Sequence, residues 1–270
     1  MRKMGNPSRL RGFVGFVEPK LMDLVTEFVA SGNEQDCQEL KGFLKERLNK
    51  RKICAVDALP VREKPSENGL AELLFVIDQS GSMHGEETES AVVSNFNKVI
   101  AEQRKEAGSA VVSTVLFNSR MTTMHSSLPI DEVPEMMRWD YLPAGSTALL
   151  DAVGTSIERI CKRHAALPET ERPATTIVVI ITDGEENSSR KYSRPVVKQM
   201  IETLQKKHDW SFLYFGANVD HFAEAQHLGI GADDAVSFKT DKAGILYCMH
   251  ECSRRMSKRR LNRRPNGFIS

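Results

Sequence analysis

The chain has 270 residues, of which 40% are apolar and 27% are charged, and such proportions are ordinary for a globular protein. Its net charge is +1, but residues 67–253 are acidic whereas both flanks are basic, which argues against a broad nucleic-acid footprint on the central region. The five cysteines are scattered, and no apolar run approaches the roughly 20 residues that span a bilayer. We therefore expect a cytoplasmic protein without a membrane span.

Residues 1–66 are predicted to form a basic arm and a short helical region that ends in a linker. Glycines and a proline interrupt the basic stretch 1–17, and apolar residues then recur at helical spacing in 19–30 and again in 34–52. Prolines and a glycine within 57–69 favour a linker. The two helices are too short to form a substantial core alone, so we expect them to pack on the main domain or on a partner.

Residues 67–240 alternate predicted strands with predicted helices. The predicted strands are 73–77, 110–117, 120–125, 177–181, 211–215 and 235–238, and the predicted helices lie around 92–103, 149–160, 196–204 and 222–228. The tight connection at Asn118 and Ser119 indicates one antiparallel pair, and the continuous apolar run 177–181 is typical of a central parallel strand. We predict a doubly wound, mostly parallel open α/β sheet with one antiparallel edge strand.

Two further segments are expected to be less regular. Residues 126–146 contain three prolines and are interpreted as a long irregular connection, a kind of segment that is often functional. Residues 241–270 are predicted to form a C-terminal helix, which begins near Asp241 and ends near Ser257, followed by a basic tail.

Oxygen-bearing side chains follow the first predicted strand. Asp78, Ser80 and Ser82 alternate around a glycine directly after the apolar run 73–77. Carboxylate and hydroxyl oxygens at the end of a strand are suitable ligands for a hard divalent cation. The alternative without a metal is a polar turn whose serines cap the next helix.

Two other strand–helix junctions offer matching groups. Asp183 follows the apolar run 177–181, and Thr147 precedes the helix that starts near residue 149. Ligands of such sheets gather at the carboxyl ends of the strands where the strand order reverses. Two carboxylates balance a 2+ charge while hydroxyls complete the coordination without further negative charge, so we predict a metal site made by all three junctions.

Over about residues 71–238, the chain resembles the von Willebrand factor A-type (VWA) domain, the fold shared with integrin inserted domains. Its metal-ion-dependent adhesion site (MIDAS) is an Asp-x-Ser-x-Ser turn, a Thr and an Asp, matched here by Asp78, Ser80, Ser82, Thr147 and Asp183. The resemblance implies that the three hydroxyls coordinate Mg²⁺ directly or nearly so and that the two carboxylates act largely through water. Mn²⁺ and Ca²⁺ are alternatives. The usual sixth ligand is an acidic side chain of a partner protein.

The motifs of several enzyme classes are not matched. A phosphatase with an aspartyl nucleophile needs a second Asp where Ser80 stands, and a hydrolase nucleophile elbow needs Gly where Asp78 stands. His84 lies close to the motif in sequence but is interpreted as a surface residue, and Glu185 and Glu186 are interpreted as solvated loop carboxylates. We therefore expect a protein that is not an enzyme, with a metal-dependent hydrolase as the lesser alternative.

The basic segment 254–264 contains no acidic residue and supports a second hypothesis. Its cations could contact the phosphates of a nucleic acid or an anionic lipid. The alternatives are a solvated or disordered end, or a strap held against the acidic body by charge.

These observations favour a cytoplasmic adaptor of the intracellular VWA type that captures an Asp or Glu of a partner protein through its cation. The resemblance implies that the partner belongs to a larger assembly, and intracellular members of the family often serve as adaptors in assemblies that include those built around AAA+ ATPases. A nucleic-acid-associated protein that uses residues 254–264 is the alternative.

Overall fold

The computed structural model describes residues 55–61, 69–217 and 221–261, together with scattered positions between 34 and 46. The chain divides into two compact units, Met1–Lys52 and Ile53–Ser270. In the first unit, all described positions between 34 and 46 are helical, within the helix predicted over 34–52. The predicted arm and the first predicted helix lie outside the described residues.

The second unit contains a six-stranded sheet. Its strands are β1 (Ala71–Asp78), β2 (Ala110–Phe117), β3 (Met121–Pro129), β4 (Thr175–Thr182), β5 (Trp210–Gly216) and β6 (Ala235–Ser237). They lie in the order β3-β2-β1-β4-β5-β6, and every neighbouring pair is parallel except β2 with β3. The predicted fold class, a mostly parallel doubly wound sheet with one antiparallel edge strand, is confirmed.

Five longer helices surround the sheet in the described part of this unit. They are α1 (Glu86–Lys105), α2 (Leu149–Ala166), α3 (Arg194–Lys207), α4 (His221–His227) and α5 (Lys242–Leu261). Helices α1 and α5 pack on one face, and α2, α3 and α4 pack on the other. None of the described helices is both long enough and apolar enough to span a membrane.

The apolar run of β1 supplies both layers of the core. Leu73, Phe75 and Ile77 belong to the cluster with α1 and α5, whereas Leu74 and Val76 belong to the cluster with α2 and α3. All five side chains are at most 1% exposed. A strand directs successive side chains to opposite faces, so a strand covered on both sides must be apolar throughout.

Part of the segment that we interpreted as a linker is packed. Leu59, within that segment, and Val56, directly before it, are buried in the cluster with α2 and α3, and Val56 lies in a short helical stretch. Burial of these two apolar side chains offsets the ordering of the backbone between them. The folded second unit therefore begins before residue 67.

The edge strand and the segment that follows it differ from the prediction. Strand β3 continues to Pro129 instead of ending near His125, and two short 3₁₀ turns, Ile130–Glu132 and Arg138–Asp140, lie within the connection. The second half of β3 contains the polar run His125, Ser126 and Ser127 and is mostly half-buried or exposed, so apolar alternation gave no sign of it.

The described part of the basic segment is the end of α5, which continues to Leu261. Arg259 pairs with Asp234, and Arg260 is buried and donates hydrogen bonds to the backbone oxygens of Gln103 (2.7 Å) and Gly108 (2.8 Å). Arg254 pairs with Glu251, 2.7 Å away. The contacts of Arg259 and Arg260 with other elements match the alternative in which the segment is a strap held against the body, whereas the Arg254 pair lies within α5; residues 262–264 lie outside the described residues.

Candidate metal centre

The candidate site lies where β1 and β4 end side by side. These two strands are parallel neighbours, with Ile77 opposite Ile181, so Asp78 and Thr182 end adjacent strands at the same edge. Strand β1 is followed by α1 on one face and β4 by α3 on the other, so the chain leaves this edge in opposite directions. This is the switch point at which such sheets bind ligands.

Asp78 is held by hydrogen bonds on both carboxylate oxygens. The Ser80 amide donates to Oδ1 (2.7 Å), and the Thr182 hydroxyl donates to Oδ2 (2.5 Å). The side chain is 0% exposed. Thr182 therefore fixes the orientation of Asp78 from the neighbouring strand.

Ser80, Ser82 and Asp183 form a connected row of oxygens. The Ser80 and Ser82 hydroxyl oxygens are 3.1 Å apart, and the Ser82 hydroxyl donates to Asp183 Oδ1 at 2.7 Å. Ser80 is buried, whereas Ser82 is exposed. The row thus extends from the interior of the sheet edge to solvent.

Gly184 marks the space that Thr147 shares with this row. A Cβ at Gly184 would lie 2.7 Å from Thr147 Oγ1, 3.5 Å from Ser82 Oγ and 3.6 Å from Asp78 Oδ2. Oxygens from three segments of the chain therefore lie within 3.6 Å of one point beside Gly184, and a side chain at this position would crowd them. The structure brings all five predicted residues together: Asp78, Ser80, Ser82, Thr147 and Asp183.

Both carboxylates are poorly solvated. Burial raises the pKa of Asp78 to about 6, although hydrogen bonds from Thr182 and Ser80 partly oppose the shift. Burial also raises the pKa of Asp183, and the Ser82 hydroxyl opposes that shift. In the described part of the chain, no cationic side chain lowers the pKa of either carboxylate, so their negative charge is uncompensated there.

The loop that carries Thr147 is hydrogen-bonded to the turn that carries the serines. The Ala144 amide donates to the Gln79 backbone oxygen, and the Gly81 amide donates to the Gly145 backbone oxygen, both at 2.9 Å. Gly145 has a φ of +78°, a conformation that a side chain would disfavour. The Tyr141 hydroxyl, fully buried, donates to the Asp78 backbone oxygen at 2.6 Å.

Glu186 connects the loop after β4 to the start of α2. It accepts hydrogen bonds from the Ser188 and Ser189 amides, from the Ser189 hydroxyl and from the Leu150 amide. A carboxylate that accepts the unpaired amides at a helix N-terminus stabilises that terminus. The interpretation of Glu186 as a solvated loop carboxylate is therefore wrong, whereas Glu185 is exposed.

Three residues that position the site were not predicted from the sequence. Thr182 orients Asp78, Tyr141 holds the backbone of Asp78, and the Asn187 side chain accepts the Thr147 amide at 2.9 Å. The one available signal was a polar residue, Thr182, at the end of an otherwise apolar run. His84 is 75% exposed at its side chain and lies 2.9 Å from Glu89, which agrees with its interpretation as a surface residue.

The donor set suits a hard cation. Among the described residues, no three His, Cys, Asp or Glu side chains come together in a metal-binding group. A cation here would instead depend on two carboxylates and three hydroxyls, ligands that Mg²⁺, Mn²⁺ and Ca²⁺ accept. The space beside Gly184 and the missing positive charge both fit such an ion.

Comparison with known protein families agrees with the geometry. The model of the family described as "VWA domain containing CoxE-like protein" matches residues 48–206, which is more than half of the chain. The chain belongs to this family. The VWA fold that the sequence resembles is thereby established, and the matched range contains all five predicted residues of the site.

Two curated relatives are similar over the VWA region. The inter-alpha-trypsin inhibitor heavy chain H3 of Bos taurus is 27% identical over 158 residues, which is 55% of this chain. The heavy chain H1 of Mesocricetus auratus is 28% identical over 165 residues, or 58% of this chain. The match spans only 17% of the length of either relative.

Solved structures of VWA proteins are also similar at low identity. One is proximal thread matrix protein 1 from the mussel byssus with a zinc-occupied MIDAS motif (TM-score 0.49, 16% identity, 72% of this chain and 47% of that one). Another is a von Willebrand factor type A protein from Catenulispora acidiphila (TM-score 0.48, 15% identity, 70% and 42% coverage). A third is manganese-loaded Plasmodium vivax TRAP protein (TM-score 0.47, 16% identity, 66% and 72% coverage).

Proposed function

We propose that the chain is a non-catalytic protein-binding module that captures an acidic side chain of a partner through a divalent cation. The observation that supports this most directly is the convergence of Asp78, Ser82 and Thr147 oxygens around the space beside Gly184. Membership of a VWA family supports the same proposal, because VWA domains are generally interaction modules.

The chemistry of the ligand set favours an outside carboxylate. Asp78 and Asp183 balance the charge of the cation, and the three hydroxyls add none. A cation that is bound by few anionic ligands retains affinity for one more carboxylate. Because Ser82 is exposed, that carboxylate can approach from solvent. We propose Mg²⁺ as the cation, with Mn²⁺ and Ca²⁺ as alternatives.

A non-catalytic role is supported by the groups around the site. His84, the nearest histidine along the chain to the serine turn, is exposed and lies against Glu89 rather than against a hydroxyl. A hydroxyl nucleophile needs an adjacent base, and Asp183, the carboxylate that accepts the Ser82 hydroxyl, is assigned to the cation in this proposal. Turnover of a hydrolase substrate by the Mg²⁺-loaded protein, lost in Asp78→Ala, would favour the metal-dependent hydrolase instead.

The cellular setting belongs to the same proposal. We propose a cytoplasmic adaptor, which is supported by three cysteines, Cys161, Cys248 and Cys252, that are buried and unpaired in the described part of the chain. The nucleic-acid alternative is disfavoured because the four arginines within 254–261 already make hydrogen bonds within the protein.

The test is recovery of a partner from cell extract with immobilised protein, in Mg²⁺ and then in EDTA. We expect a partner that is retained in Mg²⁺ and released by EDTA. Asp183→Ala should lose it because a carboxylate is removed. Gly184→Ala should lose it as well, since it leaves all five ligands in place but puts a methyl group 2.7 Å from Thr147 Oγ1.

Two controls complete the design. Gly231→Ala is a matched substitution, because nothing lies within 4 Å of its added methyl group, and it should retain the partner. Recovery that is unchanged by EDTA, or by both site variants, would contradict the proposed function.

A further inference from the structure

An exposed apolar surface lies beside the candidate metal centre. Met137, Trp139 and Leu142, which we call the apolar rim, are 40%, 68% and 65% exposed. Three of the large exposed hydrophobic side chains of the described residues thus lie within six residues of sequence. Clustered exposure of this kind indicates an interaction site, whereas scattered apolar side chains do not.

The loop that presents the rim is fixed on its inner side. Tyr141, between Trp139 and Leu142, is fully buried, and its hydroxyl donates to the Asp78 backbone oxygen. The Met137 amide donates to Asp140 Oδ2 at 2.8 Å, and Arg138 contacts Glu89 at 3.3 Å. The rim is therefore held outward by a rigid segment, so little ordering entropy is lost when a partner binds.

The rim is adjacent to the oxygen ligands. The Ala144 amide is hydrogen-bonded to the Gln79 backbone oxygen inside the serine turn, and Leu142 is only two residues from Ala144. Two residues of chain span at most about 7 Å. An extended peptide with one side chain at the cation therefore reaches Leu142, the member of the rim nearest the serine turn along the chain, within about two to four residues.

We propose that the apolar rim is the second half of the docking surface and that its occupant is a short partner segment. This segment carries one Asp or Glu for the cation and an aromatic or branched aliphatic side chain about two to four residues away. The inference rests on the proposed function and adds the chemistry of the partner to it.

Local charge restricts the segment further. The side chain of Glu86, at the start of α1, is 87% exposed and lies 3.8 Å from Arg138, which belongs to the loop that carries the rim. Glu185 is also exposed and directly follows Gly184. These carboxylates repel additional acids on a partner. A single acidic residue with apolar neighbours therefore fits the surface better than an acidic tract.

Trp139 is the side chain on which we expect affinity to depend most. Tryptophan is enriched among the residues that dominate binding energy, because it offers a large, rigid apolar area. In the free protein that area is in contact with water. Its burial by a partner supplies the hydrophobic contribution that a single metal–carboxylate contact lacks.

The experiment is selection of random displayed peptides on the purified, Mn²⁺-loaded protein, followed by affinity measurement with the selected peptides. We expect enrichment of one acidic residue with an apolar residue about two to four positions away. Binding should be lost in EDTA. Trp139→Ala should weaken it by about tenfold or more, and Leu142→Ala by less.

A matched control separates the rim from general surface hydrophobicity. Val61 is 60% exposed, and it follows Leu59 and Pro60, which line a cavity with Trp210 at the other end of the strands. Val61→Ala should bind the peptides normally. All three variants should keep the Mn²⁺-induced rise in melting temperature, since none of them supplies a ligand.

The two possible failures give different results. Two results would contradict the role of the apolar rim but leave the proposed function intact. One is selection of metal-dependent peptides without an apolar preference, and the other is peptides that bind Trp139→Ala as tightly as the unmodified protein. Peptides that bind equally in EDTA, or no enrichment at all, would overturn both.

Discussion

Strand β1 carries a buried carboxylate near each end, and the two carboxylates have different partners. Glu72, near the start of the strand, and Asp78, at its end, are both 0% exposed. Glu72 forms an ion pair with Arg163, faces His164 at 3.4 Å and accepts a hydrogen bond from Ser113. Asp78 receives only neutral donors.

The difference separates a structural charge from a binding charge. A buried carboxylate is costly unless a cation compensates it. Among the described residues, a cationic side chain pairs with Glu72 but none pairs with Asp78, and burial raises the pKa of Asp78 to about 6. The end of the sheet that lacks its own cation is therefore the end at which we propose that one binds.

The largest expected effect is at the compensated end. Arg163→Ala should lower the free energy of unfolding by about 4 kcal/mol, because it leaves Glu72 buried without its main partner. Urea denaturation in the presence and absence of Mg²⁺ measures the loss, which should be the same in both. Lys162→Ala, which removes an exposed ion pair with Glu158, should cost less than about 1 kcal/mol. Equal losses would contradict the comparison.

The second prediction concerns the uncompensated end. With a folded pKa of about 6 and an unfolded value of 3.8, Asp78 favours the folded state below pH 3.8 and loses that contribution as pH rises through about 6. Asp78→Asn does not titrate. In EDTA at pH 8 it should therefore be more stable than the unmodified protein by about 2–3 kcal/mol.

This gain should disappear towards pH 4 and should be reversed by Mg²⁺, which stabilises only the protein that retains Asp78. Thermal unfolding at pH 4 and pH 8 checks both points. A destabilised Asp78→Asn at pH 8 in EDTA would show that the carboxylate is structural, as Glu72 is.

The third and smallest prediction tests the residue that orients Asp78. Thr182→Val removes the hydroxyl that donates to Asp78 Oδ2 and should cost about 1 kcal/mol at pH 8. It should also weaken metal binding, since Asp78 loses its fixed orientation. Thr182→Ser should restore both properties in the same denaturation and titration experiments. A valine variant with unchanged metal affinity would leave Thr182 without a role at the site.

The fold could be predicted from the sequence because continuous apolar runs mark the central strands. The segments 73–77 and 177–181 are buried on both faces, so they cannot be mistaken for half-exposed strands. The five oxygen ligands follow strand or loop ends in a recognisable order, and the structure brings them together. Whether they hold a metal stays a prediction.

Other features depend on tertiary contacts that no local pattern reports. In the sequence, Glu186 is one of two adjacent acidic residues in a loop. Its hydrogen bond from the Leu150 amide forms only because the fold places the start of α2 beside this loop. Val56 and Leu59 lie between a helical pattern and prolines, and only the sheet surface makes them core residues. Polar residues of β3 are strand because β2 pairs with them, not because of their own propensity.

We propose that one divalent cation is held by five side chains: Asp78, Ser80, Ser82, Thr147 and Asp183. The most direct test is calorimetric titration of the purified protein with Mg²⁺ and Mn²⁺, with the melting temperature measured alongside. We predict saturable binding of one ion and a rise in melting temperature. Asp183→Ala should lose both and keep the melting temperature that the unmodified protein has in EDTA. Absence of binding, or an unchanged isotherm in Asp183→Ala, would show that these five residues do not form a metal site.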